Sequence, residues 1–124
     1  MSLQPLKKSF SHALSGLQTV FRTERNFRIH IAFALFVILS FLVFNFERWE
    51  KVALLILVGL VLVLELLNTA FEKSLDVFKP RLSDSVKIVK DILAAAVFLA
   101  SLLSFAAGVV IYLPHIFVFL GQPW

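Results

Sequence analysis

The chain has 124 residues, 60% hydrophobic and only 16% charged, against roughly 45–50% apolar and about 25% charged in soluble domains, which argues against a water-soluble globule. Zero Cys excludes disulfides, thiolate metal sites, iron–sulfur clusters and cysteine nucleophiles, and four Gly with four Pro are too few for a disordered or fibrous chain. The formal charge is +4 and the mean hydropathy +0.92, so the positions of the basic residues carry more meaning than their sum, and the length allows a single domain, residues 1–124.

In chain order, residues 1–28 come first. Phe10, Leu14, Leu17 and Phe21 recur at helical spacing, with Lys7, Lys8, Ser11, Ser15, Gln18 and Arg22 toward other faces. This pattern predicts an amphipathic helix on the membrane surface, and so long a polar leader speaks against a cleaved signal peptide. Residues 29–46 form an apolar run interrupted only by His30, Ser40 and Asn45. A charge-balanced connection, Glu47 to Lys51, carries Trp49. Residues 52–71 form a second run whose polar members, Glu65, Asn68 and Thr69, crowd its second half; residues 92–113 form a third, without charge and closed by Pro114. The tail from Ile116 to Trp124 reads as interfacial.

At 1.5 Å per residue each run crosses, or nearly crosses, a hydrocarbon core of about 30 Å, and helices satisfy their own backbone groups there. The fold class expected is an all-α membrane protein: one surface helix and three transmembrane helices. Basic residues cluster before the first run (Lys7, Lys8, Arg22, Arg25, Arg28) and after the second (Lys73, Lys79, Arg81, Lys87, Lys90), and none follows Leu113. The N-terminus and the second connection therefore face the cytoplasm, and the C-terminus lies outside. The fourteen Phe suit lipid-facing surface and core, so no nucleic acid partner is expected.

The second run holds the chemistry. If its helix continues to Asp76, then Glu65, Asn68, Glu72 and Asp76 share an arc of about 80°. A carboxylate at the depth of Glu65 costs about 2 kcal/mol or more unless paired, neutralised or hydrated, so four stacked polar groups suit a hydrated cleft open to the cytoplasm. Hard oxygen ligands favour Mg²⁺, which takes one or two carboxylates plus substrate phosphates. Lys90 and Asp91 open the third helix, whose N-terminus offers backbone donors toward the same side. Carboxylates for metal, a Lys for phosphate and a buried Glu to take a proton are the parts of phosphoryl transfer. The four Gly are scattered singly, so no Gly-rich nucleotide loop is present.

The stretch Glu65-Leu-Leu-Asn68-Thr69-Ala-Phe-Glu72, then Asp76, then Lys87-Ile-Val-Lys90-Asp91 before a small-residue apolar helix, resembles the signature of the small prokaryotic integral-membrane diacylglycerol kinases and undecaprenol kinases. The segment from Glu24 to His30 resembles the undecaprenol kinase type, and the likeness runs from about Phe10 to Leu113. It implies a homotrimer in the bacterial inner membrane, with active sites between subunits, passing the γ-phosphate of ATP to a lipid hydroxyl. By the same resemblance Glu65 is the catalytic base, Glu24 and Glu72 are the Mg²⁺ ligands, and Asn68, Asp76, Lys90 and Asp91 bind the nucleotide. Undecaprenol is the favoured acceptor and diacylglycerol the alternative.

A multimer is also expected because three helices cannot enclose a nucleotide and a lipid. Ala96, Ala100, Ser104 and Gly108 recur every four residues as a close-approach stripe, serving contacts either between subunits or within the chain. A small multidrug transporter is a distant alternative, but it needs access from both sides, whereas this stripe of acids opens to one. A non-enzymatic adaptor leaves the buried Glu65 unexplained. His30, at the membrane edge, reads as an interfacial structural residue, and His12 and His115 lie too far apart to share a metal.

Overall fold

The computed structural model describes residues 2–77 and 83–124; Lys79 and Arg81 of the expected cytoplasmic connection lie outside them. Four helices follow in order, α1 (Gln4–Thr23), α2 (Arg25–Ser40), α3 (Arg48–Asp76) and α4 (Ser83–Phe119). No strand occurs among the described residues. The chain is all-α.

Helix α1 starts with Pro5 in its first turn, where a missing N–H costs nothing. Its stripe of Leu6, Phe10, Leu14, Leu17 and Phe21 is exposed, as expected of a face that another phase must cover. The helix ends earlier than the expected residue 28. Glu24 is extended, at φ −112° and ψ 111°, and forms an elbow between α1 and α2. One axis cannot both lie along a surface and enter an apolar layer, so the hydrophobic pattern changes direction here. Arg28 fixes the elbow: its Nη1 donates to the carbonyls of Phe21 at 2.8 Å and Arg22 at 3.1 Å, which the end of α1 leaves unpaired. Replacing Arg28 with Ala should remove about 1 kcal/mol at this exposed joint. Amide hydrogen exchange in the last turn of α1 should then quicken roughly fivefold while exchange in α3 stays unchanged.

The expected first span is only partly realised as α-helix. Helix α2 stops at Ser40, whose Oγ donates to the carbonyl of Val37 and meets the Tyr112 hydroxyl, both at 2.6 Å. Tighter bonds, Phe41 to Ile38, Leu42 to Leu39 and Val43 to Ser40, carry the chain onward. At about 24 Å, α2 is shorter than a hydrocarbon core. Helices α3 and α4 are the two long and apolar enough to cross a membrane among the described residues.

Helix α3 opens on a capping box, with the Glu47 amide donating to Glu50 Oε2 at 2.7 Å, and runs to Asp76 as the acidic stripe requires. Helix α4 departs from expectation at both ends. It is helical from Ser83, well before Ile92, so Lys90 and Asp91 sit inside the helix and not in its first turn. It also passes through Pro114 to Phe119 instead of closing there. The backbone bond lost at Pro114 is offset by ties on either side. His115 Nε2 meets Glu50 Oε2 at 2.9 Å, its ring packs 4.4 Å from that of Phe46, and Phe119 packs on Phe44. The helix then ends in a Schellman motif. Gln122 N donates to Phe117 O, Gly121 N to Val118 O, and Gly121 takes the φ of 75° that such a cap demands.

Helix α3 is central, flanked by α2 and α4, with α1 reaching α2 and α3 at the acidic end. Two ties hold α3 and α4 in register: Glu50–His115 at one end and Asp76–Lys90 at the other. The ties are 26 residues apart on α3 and 25 on α4. A hydrophobic cluster sits at the non-acidic end, where Phe46, Leu54 and Ile111 are buried against Phe41, Phe44 and Tyr112, and Val20, Phe27 and Val86 are buried elsewhere in the chain. Ala100 is buried and Ser104 Oγ is enclosed, whereas Ala96 is exposed, so the middle of the small-residue stripe is used within the chain. Little else is covered: 22% of the apolar window of α3 and 11% of that of α4 are buried.

Candidate functional site at the acidic end of the middle helix

The periodicity of α3 places Leu54, Val61, Glu65 and Thr69 on its covered face. Glu65 is thereby carried inward and is only 5% exposed. Thr69, 2% exposed, donates from Oγ1 to the Glu65 backbone carbonyl at 2.9 Å, which keeps its hydroxyl satisfied and leaves the Glu65 carboxylate to other partners. That partner comes from α2. His30 Nδ1 lies 3.2 Å from Glu65 Oε1, close enough for an ion pair although the two are not aligned as a hydrogen bond. His30 lies on the buried face of α2, between Phe27, 2% exposed, and Ala34, 8% exposed, and α2 packs on α3.

The other expected residues divide into four placements. Glu24, at the elbow, and Glu72, two turns beyond Glu65, both press their negative charge on Glu65, with His30 opposing them. Glu24 makes no side-chain cap to α2. Asn68 shares the stripe, and its Oδ1 is buried without a hydrogen-bond partner, an uncommon state for a carbonyl oxygen that marks an unmade contact. Farther along, Asp76 Oδ1 and Lys90 Nζ meet at 2.6 Å across α3 and α4. Asp91 is not brought to the stripe: it pairs with Lys87 at 2.8 Å on an exposed face of α4.

Among the described residues no three His, Asp or Glu side chains converge as a metal cage. Mg²⁺ does not need one, because it keeps waters and phosphate oxygens beside one or two carboxylates. The carboxylates of Glu24 and Glu72 and the unpaired Asn68 Oδ1 are hard oxygen donors of the type such an ion takes. Two shallow concavities run along α1, lined by residues such as Leu6, Phe10, Phe21 and Phe27, and neither includes Glu65. Glu65 lies in a seam between helices.

Sequence reasoning overlooked His30 as the companion of Glu65 and Arg28 as the staple of the elbow. A signal for the first existed. His30 precedes Glu47 by 17 residues and Glu65 follows Arg48 by 17, so an antiparallel hairpin turning at Glu47–Arg48 brings them level.

Comparison with known proteins gives the family. The chain is 36% identical over 109 residues to an undecaprenol kinase of Bacillus subtilis, covering 88% of this chain and 89% of that one. It is also 36% identical over 107 residues to a diacylglycerol kinase of Synechocystis sp., covering 86% of this chain and 61% of that longer relative. The family profile of the prokaryotic diacylglycerol kinases matches residues 11–112, nearly the whole helical region. The chain belongs to the prokaryotic diacylglycerol kinase family and is a lipid kinase with ATP as its co-substrate.

Proposed function

We propose that the chain is an undecaprenol kinase, transferring the γ-phosphate of ATP to the terminal hydroxyl of undecaprenol at the cytoplasmic face of the bacterial inner membrane. The observation that carries the reaction is Glu65: a carboxylate inside an apolar helix pair, held beside an imidazole, at the buried end of a stripe that opens toward Glu72 and the Asp76–Lys90 pair. Such a group is retained at a cost that chemistry explains better than packing. Undecaprenol is preferred because the Bacillus relative that carries this name matches at nearly full length on both sides. Diacylglycerol is the second reading, supported by the Synechocystis relative.

In this reading Glu65 takes the proton of the lipid hydroxyl as its oxygen attacks phosphorus. Lys90 holds phosphate oxygens from its place beside Asp76, and Asn68, Asp76 and Asp91 orient the nucleotide. Glu24 and Glu72 hold Mg²⁺, which when bound offsets charge on the β- and γ-phosphates. A homotrimer fits the uncovered apolar surface of α3 and α4, because neighbouring subunits would cover part of it and bring Asp91 of one chain toward the stripe of another. The basic residues before the first run and after the second support a cytoplasmic N-terminus, with α2 and its tight turns as the third crossing.

Purified protein in mixed micelles with labelled ATP and Mg²⁺, offered both lipids at equal mole fraction, tests the assignment. Undecaprenol should be phosphorylated at least tenfold faster. A preference for diacylglycerol reverses the choice of lipid, and labelling of neither removes the reaction.

A further inference from the structure

We propose that His30 is a positioning residue for Glu65, and that its imidazole holds one carboxylate oxygen so that the other faces the hydroxyl to be deprotonated. The inference rests on the reading of Glu65 as the base. Three observations carry it. His30 Nδ1 stands 3.2 Å from Glu65 Oε1, and both side chains are largely enclosed, 22% and 6% exposed. Phe27 and Ala34, one turn either side of His30 on the same face of α2, are both buried, so that face is a packed one. His30 is the one basic group among those acting on the Glu65 charge, while Arg28 is engaged by the carbonyls ending α1, Lys90 by Asp76 and Lys87 by Asp91.

A Glu side chain has three rotatable bonds, and a base must present one oxygen along the line of the leaving proton. The helix backbone alone does not set that orientation. Thr69, the nearest buried hydroxyl on α3, is spent on the Glu65 backbone carbonyl and cannot set it either. The imidazole reaches across from the neighbouring helix and restrains Oε1. Because Nδ1 is enclosed and has no aligned hydrogen bond, the contact has room to tighten when the hydroxyl arrives.

The atom that makes the contact gives a sharp test. In His30→Asn the amide nitrogen lands where Nδ1 was; in His30→Gln it lands near Nε2, beyond reach of Oε1; in His30→Leu there is no polar atom. All three are measured in the full-length protein in mixed micelles, beside Glu65→Gln. Expected are a fall in kcat of about 10- to 100-fold in His30→Leu and His30→Gln, with KM for ATP and for lipid within about twofold of the parent, and recovery to within about fivefold in His30→Asn. A residue that merely fills the seam predicts the reverse order, since Leu packs better than Asn. Should His30→Leu fail to assemble, the contrast between Asn and Gln decides alone, because both are polar and differ only in reach. Equal rates in Asn and Gln, or losses confined to KM, overturn the proposal. Glu65→Gln separates the two levels of argument: if it remains active the base assignment falls and this inference with it, and if it is inactive while His30→Leu turns over normally, only the role of His30 falls.

Discussion

Glu65→Gln is expected to fold and pack as the parent does and to lose about 10²- to 10⁴-fold in kcat, the span that a positioned general base contributes. The substitution keeps size and hydrogen-bonding capacity and removes only the ability to take a proton. It also removes the burden of a carboxylate at 5% exposure, so thermal stability in detergent should hold or rise slightly. A structural carboxylate predicts another outcome. There the contact at 3.2 Å with His30 would be the purpose of Glu65, and the amide would weaken the fold while sparing turnover. Initial rates at saturating ATP and lipid, set beside a melting curve on the same preparation, separate the two, and full activity in a well-folded variant ends the base assignment.

Glu72→Ala is expected to raise the Mg²⁺ concentration for half-maximal rate roughly tenfold or more. Weakening even the groups that support a metal ligand costs about 10- to 100-fold in affinity, and a lost ligand costs no less. Glu24→Ala should behave alike, although Glu24 comes from the elbow and Glu72 from α3. A shared dependence from residues 48 positions apart is hard to produce in any other way. Rates measured across a Mg²⁺ titration check this, and a half-saturation point that stays in place in both variants means that the ion sits elsewhere.

Much of this was legible in the sequence because membrane chemistry writes with a small vocabulary. Apolar runs, basic flanks and a surface stripe located α1, α3 and most of α4, and helical spacing aligned Glu65, Asn68, Glu72 and Asp76 before any coordinates. Boundaries were harder. No Gly or Pro announces the elbow at Glu24. It arises because two hydrophobic patterns with different directions meet there, and a periodicity search sees each separately. Pro114 misled in the opposite sense. Proline is a breaker only where nothing else holds the helix, and Glu50, Phe46 and Phe44 hold it here through contacts distant in sequence. The start at Ser83 is marked by Ser83 and Asp84, residues favoured at helix starts, but the uninterrupted apolar run begins only at Ile92. The companion of Glu65 depended on the register of the α2–α3 hairpin, which composition does not encode and a turn position does.

So much of α3 and α4 is left uncovered by the chain that whatever surrounds these helices enters the energetics of the fold. The amphiphile around it is a thermodynamic component, contributing through every Leu, Phe and Val that the polypeptide does not shield. A melting temperature for this protein therefore belongs to the pair of chain and lipid. Exchanging a short-chain detergent for a longer one should move it as far as a core substitution would, with each residue unchanged.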